Sequence, residues 1–311
     1  MIKKGEKTMK KKTVGRTFFS YLLSVLIGII LIFPIVWMFC AAFKTNEEIF
    51  GSTGLLPSAW TSAGFHSWLA EHEGGSFGQY FVHLFHNFRE SWAGTGRNSY
   101  ATFFWNSFKL VIPTVVLTLV SSTLVAYGFA RFNFPGKKLL FGILIGTLML
   151  PNAVVIIPRY AMYADWGWVD TYMPFYVPAA LAAAPFFVYM LIQFMRGLPR
   201  DLDESAYIDG CSTFRTLVQI LLPLMVPALF SAGLFQFMWT YNDYFNSLVF
   251  INSATKYTVS LGLRLSLDGE SVVNWGKMMA ASCIAVLPLI ILFFAAQKYF
   301  VEGIATTGMK G

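Results

Sequence analysis

Six uncharged runs of about 20 residues or more recur along the chain, and a helix needs that length to cross the hydrocarbon of a bilayer. They lie between Thr17 and Phe43, Leu110 and Ala130, Leu139 and Pro158, Thr171 and Met195, Thr216 and Asn242, and Met278 and Gln297. Backbone polar groups in lipid must be paired within the segment, so the runs predict helices. The expected fold class is an all-α polytopic membrane protein with six transmembrane helices. The first run greatly exceeds the ~7–15 residue apolar stretch of a signal peptide. Bulky Trp37, Met38 and Phe39 before Cys40 also argue against lipoprotein processing. It is expected to stay as a true span.

Composition agrees. Only 13% of the 311 residues are charged, about half of what a soluble surface requires. Disorder is excluded by 31 Phe and 9 Trp, and a disulfide scaffold by three distant cysteines, Cys40, Cys211 and Cys283.

An even number of spans puts both termini on one side. The tail 1–16, the loops 131–138 and 196–215 and the C-terminal tail hold 15 of the 23 Lys and Arg, with a net charge of +9. The loops 44–109, 159–170 and 243–277 together carry −2. Cytoplasmic loops are enriched in Lys and Arg, so both termini are expected in the cytoplasm of a multi-pass cell-membrane protein. The Lys cluster from Lys3 to Lys12 reads as an orientation signal that also meets anionic lipid. No aromatic residues are interleaved with it, which disfavours nucleic acid as a partner. The expected organisation is a basic tail 1–16, a first transmembrane helix 17–43, an outer loop 44–103, a membrane core 104–298 and a C-terminal tail 299–311.

Buried charge is scarce in the spans, which disfavours proton- or ion-coupled transport, although sodium can be held by carbonyls and hydroxyls alone. His66, His72, His83 and His86 all fall in the first outer loop. His83, His86 and Glu90 share the segment 77–90, expected to be one amphipathic surface helix. Two histidines do not complete a tetrahedral zinc site, and no metal is expected. Pro151 and Pro158 bracket the third span, and Pro174, Pro178 and Pro185 punctuate the fourth. These bends fit either a hinged, cavity-lining pair or ordinary kinked packing. No phosphate-binding loop, HExxH or GxSxG pattern is present, so no catalytic residue is expected.

The polar stretch 198–215 between the fourth and fifth spans carries the most information. Pro199 starts a new element, Asp201 or Asp203 can cap a short helix, and Glu204 sits in its first turn. Gly210 supplies the stop and Ser212 a cap for the next helix. Physical chemistry alone thus gives a short cytoplasmic helix between two spans, with a solvated connector as the plain reading.

Glu204-Ser205-Ala206, then Gly210, then Ile220, Leu222 and Pro223 fall at the spacings of the EAA signature. In this the chain resembles the inner-membrane permease subunits of ABC importers. Asn106-Ser107, the run from Ala126 to Gly136, Met149-Leu150-Pro151 and Pro158 resemble the carbohydrate-uptake branch, and the whole resembles its maltose-type second permease with six spans. The resemblance runs from about Asn106 to Gly311 and includes the first span. It does not cover 44–103. Ser205 and Cys211 replace usual alanines, and Tyr241 stands where Trp is common.

The resemblance implies a type I ABC importer permease fold, with the loop 199–215 docking on a cytoplasmic ATPase. Glu204, Ser205, Ala206, Asp209, Gly210, Cys211 and Pro223 would form the coupling element. The tail residues Gly308, Met309, Lys310 and Gly311 would reach the ATPase dimer. Implied partners are a second homologous permease in a heterodimer, an ATP-binding subunit dimer, an extracytoplasmic solute-binding protein and the bilayer. This chain would hold no cofactor, with ATP and Mg on the ATPase. Trp239, Tyr241, Asn242, Asp243 and Tyr244 are candidates for the sugar path, since aromatic faces suit sugar rings; an interfacial aromatic belt is the plain alternative. A non-sugar cargo or a secondary transporter remain alternatives at this stage.

Overall fold

The computed structural model describes the backbone of residues 2–72, 75–94, 98–268 and 273–308, and the side chains of 17–72, 75–94, 98–265 and 273–297. The helices are α1 (Ile2–Ala41), α2 (Asn46–Gly51), α3 (Ser62–Glu71), α4 (Phe77–Leu84), α5 (His86–Ala93), α6 (Tyr100–Arg131), α7 (Lys137–Leu148), α8 (Asn152–Asp165) and α9 (Met173–Ala180). They continue as α10 (Pro185–Gly197), α11 (Asp201–Ile208), α12 (Thr213–Thr216), α13 (Leu222–Leu224), α14 (Val226–Tyr241), α15 (Tyr244–Phe250), α16 (Val259–Asp268) and α17 (Trp275–Gly308). No strand occurs among the described residues. Four helical stretches are long and apolar enough to cross a membrane, and two bent pairs raise the number to six.

The bends fall where proline dictates. The third span is two helices, α7 and α8, crossing at 102° rather than one rod. Pro151 has no N–H to donate and disfavours helical backbone at Leu150, so α7 ends there and Pro151 caps α8 in extended conformation. The fifth span bends by 78° between Thr213–Leu224 and Val226–Tyr241. Pro223 and Pro227 flank that bend, and a π-helical turn, Leu217–Leu221, precedes it. The fourth span breaks at 181–184, where Ala182 takes a positive φ of 54°.

The chain divides into two compact units, 1–92 with 270–284, and 93–269 with 285–311. In the first, the apolar side chains of α1 from Phe18 to Phe33 are exposed, as a lipid-facing helix requires. Phe43 packs edge-on against Trp60 and Phe85, at 5.0 and 5.4 Å between centroids. Asn87 donates to the carbonyls of Ala42 and Lys44 at 2.9 and 3.1 Å. Asn46 donates to Val273 O and accepts from Trp275 N, both at 2.8 Å. The segment 77–90 is two helices rather than one, because the chain turns at Phe85. That turn lets Phe85 and Phe88 both reach Phe43. Ser76 and Gln79 form a reciprocal capping box at the start of α4.

In the second unit, α6 lies at the centre against α9, α10 and α14. On α10 the residues Phe187, Val188, Leu191, Ile192 and Met195 recur at helical spacing and are fully buried. At the other end, Asn106 donates to Thr255 O and Tyr257 O at 2.8 and 3.1 Å, and the Ser107 hydroxyl accepts from Val259 N at 2.8 Å. This Asn-Ser pair therefore fastens α6 to the loop before α16. Asp170 fastens the same loop to the α8–α9 turn. It accepts from Asn252 N, Ser253 N, Ser253 Oγ and Lys256 Nζ at 2.6–3.0 Å. Burial raises the Asp170 carboxyl, but the Ser253, Lys256 and Asn252 bonds outweigh it and hold the group well below the usual carboxylate range.

Candidate functional site

Both regions of interest lie in the second unit and are built on α6. At its C-terminal end, Arg131 Nε pairs with Asp203 Oδ2 at 3.0 Å. Both terminal nitrogens of Arg131 donate to Leu198 O at 3.3 Å. One turn earlier, the Tyr127 hydroxyl donates to Thr213 O at 3.0 Å. Tyr127 and Arg131 are four residues apart and share a face, so one helix end grips both arms of the 199–215 loop.

The gripped element is α11. Its N-cap is Arg200, without a side-chain cap. The expected capping by Asp201 or Asp203 does not occur. Asp201, Asp203 and Glu204 lie inside the first turn instead, where the positive helix end favours carboxylates, and Asp203 is taken by Arg131. At the other end, Gly210 adopts φ +74°. Its N–H donates to Tyr207 O at 3.0 Å and Cys211 N–H to Ala206 O at 2.9 Å. This is the paired 6→1 and 5→2 bonding of a Schellman stop. Ser212 caps α12 through the Arg215 N–H.

Within the signature, Ala206 points inward and is buried, which leaves room only for a small side chain. Glu204, Ser205, Asp209 and Gly210 face outward, and Cys211 is half-buried. Pro223 is not part of this surface; it lies at the bend of the fifth span. A pocket of about 220 Å³ opens beside α11, lined by Tyr127, Arg131, Arg200, Asp203, Glu204 and Tyr207 among others. The sequence reading missed the apolar tip: Tyr207 and Ile208 are 82% and 83% exposed. Its signal was a Tyr-Ile pair inside an otherwise polar loop. Gly308 closes α17, whereas Met309, Lys310 and Gly311 lie outside the described residues.

The second region is a polar pocket of about 160 Å³ among α6, α8, α9, α14 and α15. Of the five path candidates only Asp243 lines it. Tyr241 is 4% exposed, stacks on Phe237 and donates to Ala285 O at 3.0 Å. Trp239 is half exposed against Phe186 and Phe187. Asn242 is exposed, and the Tyr244 hydroxyl meets Arg264. The pocket's other polar groups come from distant segments. Arg159 donates to Asn152 Oδ1 at 2.6 Å and to Asn246 Oδ1 at 2.9 Å. Asn246 in turn donates its N–H and its amide to the two Asp243 oxygens at 3.0 and 2.8 Å. Burial raises the Asp243 carboxyl, and the Asn246 bonds and Arg159 oppose that rise. Thr114, Thr118, Gln236 and Thr240 complete the polar lining. Thr114 and Thr118, four apart within an apolar span, were the readable sign. Among the described residues no three His, Cys, Asp or Glu side chains converge as metal ligands would.

Comparison with known proteins places these features. Residues 119–306, more than half of the chain, match the family described as binding-protein-dependent transport system inner membrane component. The chain is 31% identical over 311 residues to the probable ABC transporter permease protein YurM of Bacillus subtilis, covering 98% of this chain and 92% of that protein. It is 31% identical over 289 residues to the trehalose/maltose transport system permease protein MalG of Thermococcus litoralis, covering 93% and 95%. The fold matches a chain in the crystal structure of a bacterial ABC transporter involved in the import of the acidic polysaccharide alginate. That match has a TM-score of 0.70 at 18% identity, over 91% of this chain and 96% of that one. The gripped α11 loop and the bent spans thus sit within a known membrane architecture, and the chain belongs to the family of inner-membrane permease components of binding-protein-dependent ABC transport systems.

Proposed function

We propose that this chain is the permease through which a sugar or oligosaccharide passes, paired with a homologous permease and driven by a separate ATPase. The observation that carries the drive is the attachment of α11. It is held to the end of α6 by Arg131–Asp203 and Tyr127–Thr213, so force on α11 reaches the central helix of the core. Glu204 and the Tyr207–Ile208 tip stand outward as the contact for a groove on the ATPase. An exposed apolar pair beside a carboxylate has the make-up of an interface centre with a polar rim. Gly210 lets the chain turn sharply behind that tip.

In this reading ATP and Mg bind on the ATPase dimer, and closure of that dimer moves α11 as a lever. Swinging of the bent third and fifth spans then opens the path. An external solute-binding protein delivers the cargo, and segment 44–103 contacts that protein or the partner permease. The cargo class rests on the company the chain keeps: MalG of T. litoralis is named for trehalose and maltose. The test is reconstitution with the ATPase, partner permease and binding protein. Wild type is expected to couple hydrolysis to uptake of a carbohydrate, and Glu204→Ala or Gly210→Pro to uncouple them. Wild-type uptake by both variants, with the ATPase fully assembled, would overturn the coupling role.

A further inference from the structure

We propose that the segment 50–85 lies on the membrane surface, with the apolar stripe of α4 and the strap 53–56 seated in the headgroup layer and α3 turned to water. The segment is outside the spans, yet Phe50, Leu56, Phe77, Phe81 and Val82 are 54–72% exposed. Apolar side chains exposed singly need no partner, but contiguous ones mark a surface that is covered. Those of α4 are contiguous. Phe77, Phe81 and Phe85 follow at intervals of four, and Phe81 meets Phe85 at 5.1 Å between centroids. The helix carries no Lys, Arg, Asp or Glu.

Continuity with the lipid-facing α1 says what covers it. The aromatic row runs on from Phe85 to Phe43 and from Phe43 to Phe39 on α1, at 5.4 and 5.3 Å. Trp60 packs on Phe43 and Phe39 at 5.0 and 6.2 Å. The apolar span of α1 ends at Ala41, so this row sits at the level where aromatic rings gather at a bilayer surface. The strap folds back along the same span. Thr53 and Leu55 share a recess of about 380 Å³ with Phe33, Pro34 and Trp37. Trp37 and Phe33 precede Ala41 by about 6 and 12 Å along the axis, at 1.5 Å per residue. The strap is therefore beside the end of the span and not beyond it. Lys44, buried at 4% exposure, pins it there by donating to Gly54 O. Irregular backbone is excluded from hydrocarbon, so the strap occupies the hydrated headgroup layer, with Leu56 toward the acyl chains. The exposed side of α3 is different. Ser62, His66, Ser67 and Glu71 stand outward, while Phe65 and Trp68 pack on Tyr80 of α4 at 4.9 and 5.3 Å. A solute-binding protein docking on this segment would meet α3 and not the aromatic stripe.

The experiment maps the full chain in the assembled importer, in vesicles of phosphatidylglycerol and phosphatidylethanolamine. One probe is a phospholipid with a diazirine on its acyl chain, and the other is a water-soluble diazirine. Labelled peptides are read by mass spectrometry, with and without the binding protein. The expected result is lipid label on α1, on 50–56 and on 77–85, and water-borne label on 62–71, with the lipid pattern unchanged by the binding protein. With Phe77→Asp and Phe81→Asp combined, lipid label on 77–85 is lost while that on α1 stays. Both side chains are exposed, so the substitutions leave the fold of the free chain intact. Lipid label on α1 but not on 77–85 of the wild type would overturn the proposal. Water-borne label there that the binding protein blocks would then assign the stripe to that protein, and neither label would assign it to the partner permease. Lipid label on 77–85 that survives both carboxylates would also overturn it.

Discussion

Replacing Asp203 by Ala tests whether α11 is mechanically joined to the core. Arg131 is 5% exposed at its side chain and Asp203 25%, so the pair lies between the surface and interior limits. Exposed pairs contribute about 0–1 kcal/mol, and breaking a buried pair costs about 3–5 kcal/mol. Roughly 2 kcal/mol is the value between those limits, since Leu198 O still accepts from Arg131 in the variant. At 1.4 kcal/mol per tenfold, that is about a 30-fold shift toward a released loop. Amide exchange in the assembled importer reads this directly. Exchange across 201–208 is expected to rise by up to about that factor, while the middle of α6 is unchanged. Uptake per ATP falls in step. Arg131→Ala should cost more, since it also removes both bonds to Leu198 O, and Asp203→Ala added to it should do little further because its partner is already gone. If Asp203→Ala left exchange and coupling within a factor of two of wild type, the lever would not run through this pair.

Gly210→Ala should cost about 1 kcal/mol, read as a small fall in melting temperature, because φ is +74° but the space for a methyl is open. Gly210→Pro, whose ring fixes φ near −65°, should break the Schellman stop and lose coupled transport altogether. The depressed Asp170 carboxyl stabilises the protein above the ordinary carboxylate range, and that contribution is lost as pH falls below about 4. The melting temperature of wild type should therefore exceed that of Asp170→Asn at pH 7, and the gap should narrow steadily below pH 4; a gap that widens on acidification contradicts the clasp. Tyr241→Phe should lower stability by about 1 kcal/mol through loss of the bond to Ala285 O, with cargo preference unchanged. Altered preference at unchanged stability would return Tyr241 to the sugar path.

What the sequence made readable was whatever is local. Apolar length marked the spans, and Gly210 and Ser212 marked a stop and a start, because each acts within a few residues of itself. The helix of 201–208 was readable from the same kind of signal, but not its cap, since Arg131 lies some 70 residues away and claims Asp203. Pro151 announced a break without its 102° angle, which depends on what α7 and α8 pack against. That four of the five path candidates lie outside the polar pocket has the same reason. They were chosen as neighbours of one another around Asn242, whereas Asn246 at the pocket meets Asn152 and Arg159 from 94 and 87 residues away. Tyr241 read as a candidate for the sugar path or for an aromatic belt, and its bond to Ala285 O, 44 residues away, was not legible from either reading.

The claim at the centre is that an ATPase drives this permease through the exposed tip of α11. The most direct measurement is binding-protein-stimulated ATP hydrolysis and uptake together, in vesicles holding the assembled importer with Tyr207→Asp and Ile208→Asp combined. Both side chains are exposed, so the substitutions leave the fold of the free chain intact. The ATPase subunit is expected to be lost on purification, and stimulated hydrolysis and uptake with it. Full retention of the ATPase, with hydrolysis and uptake at wild-type levels, would contradict the account.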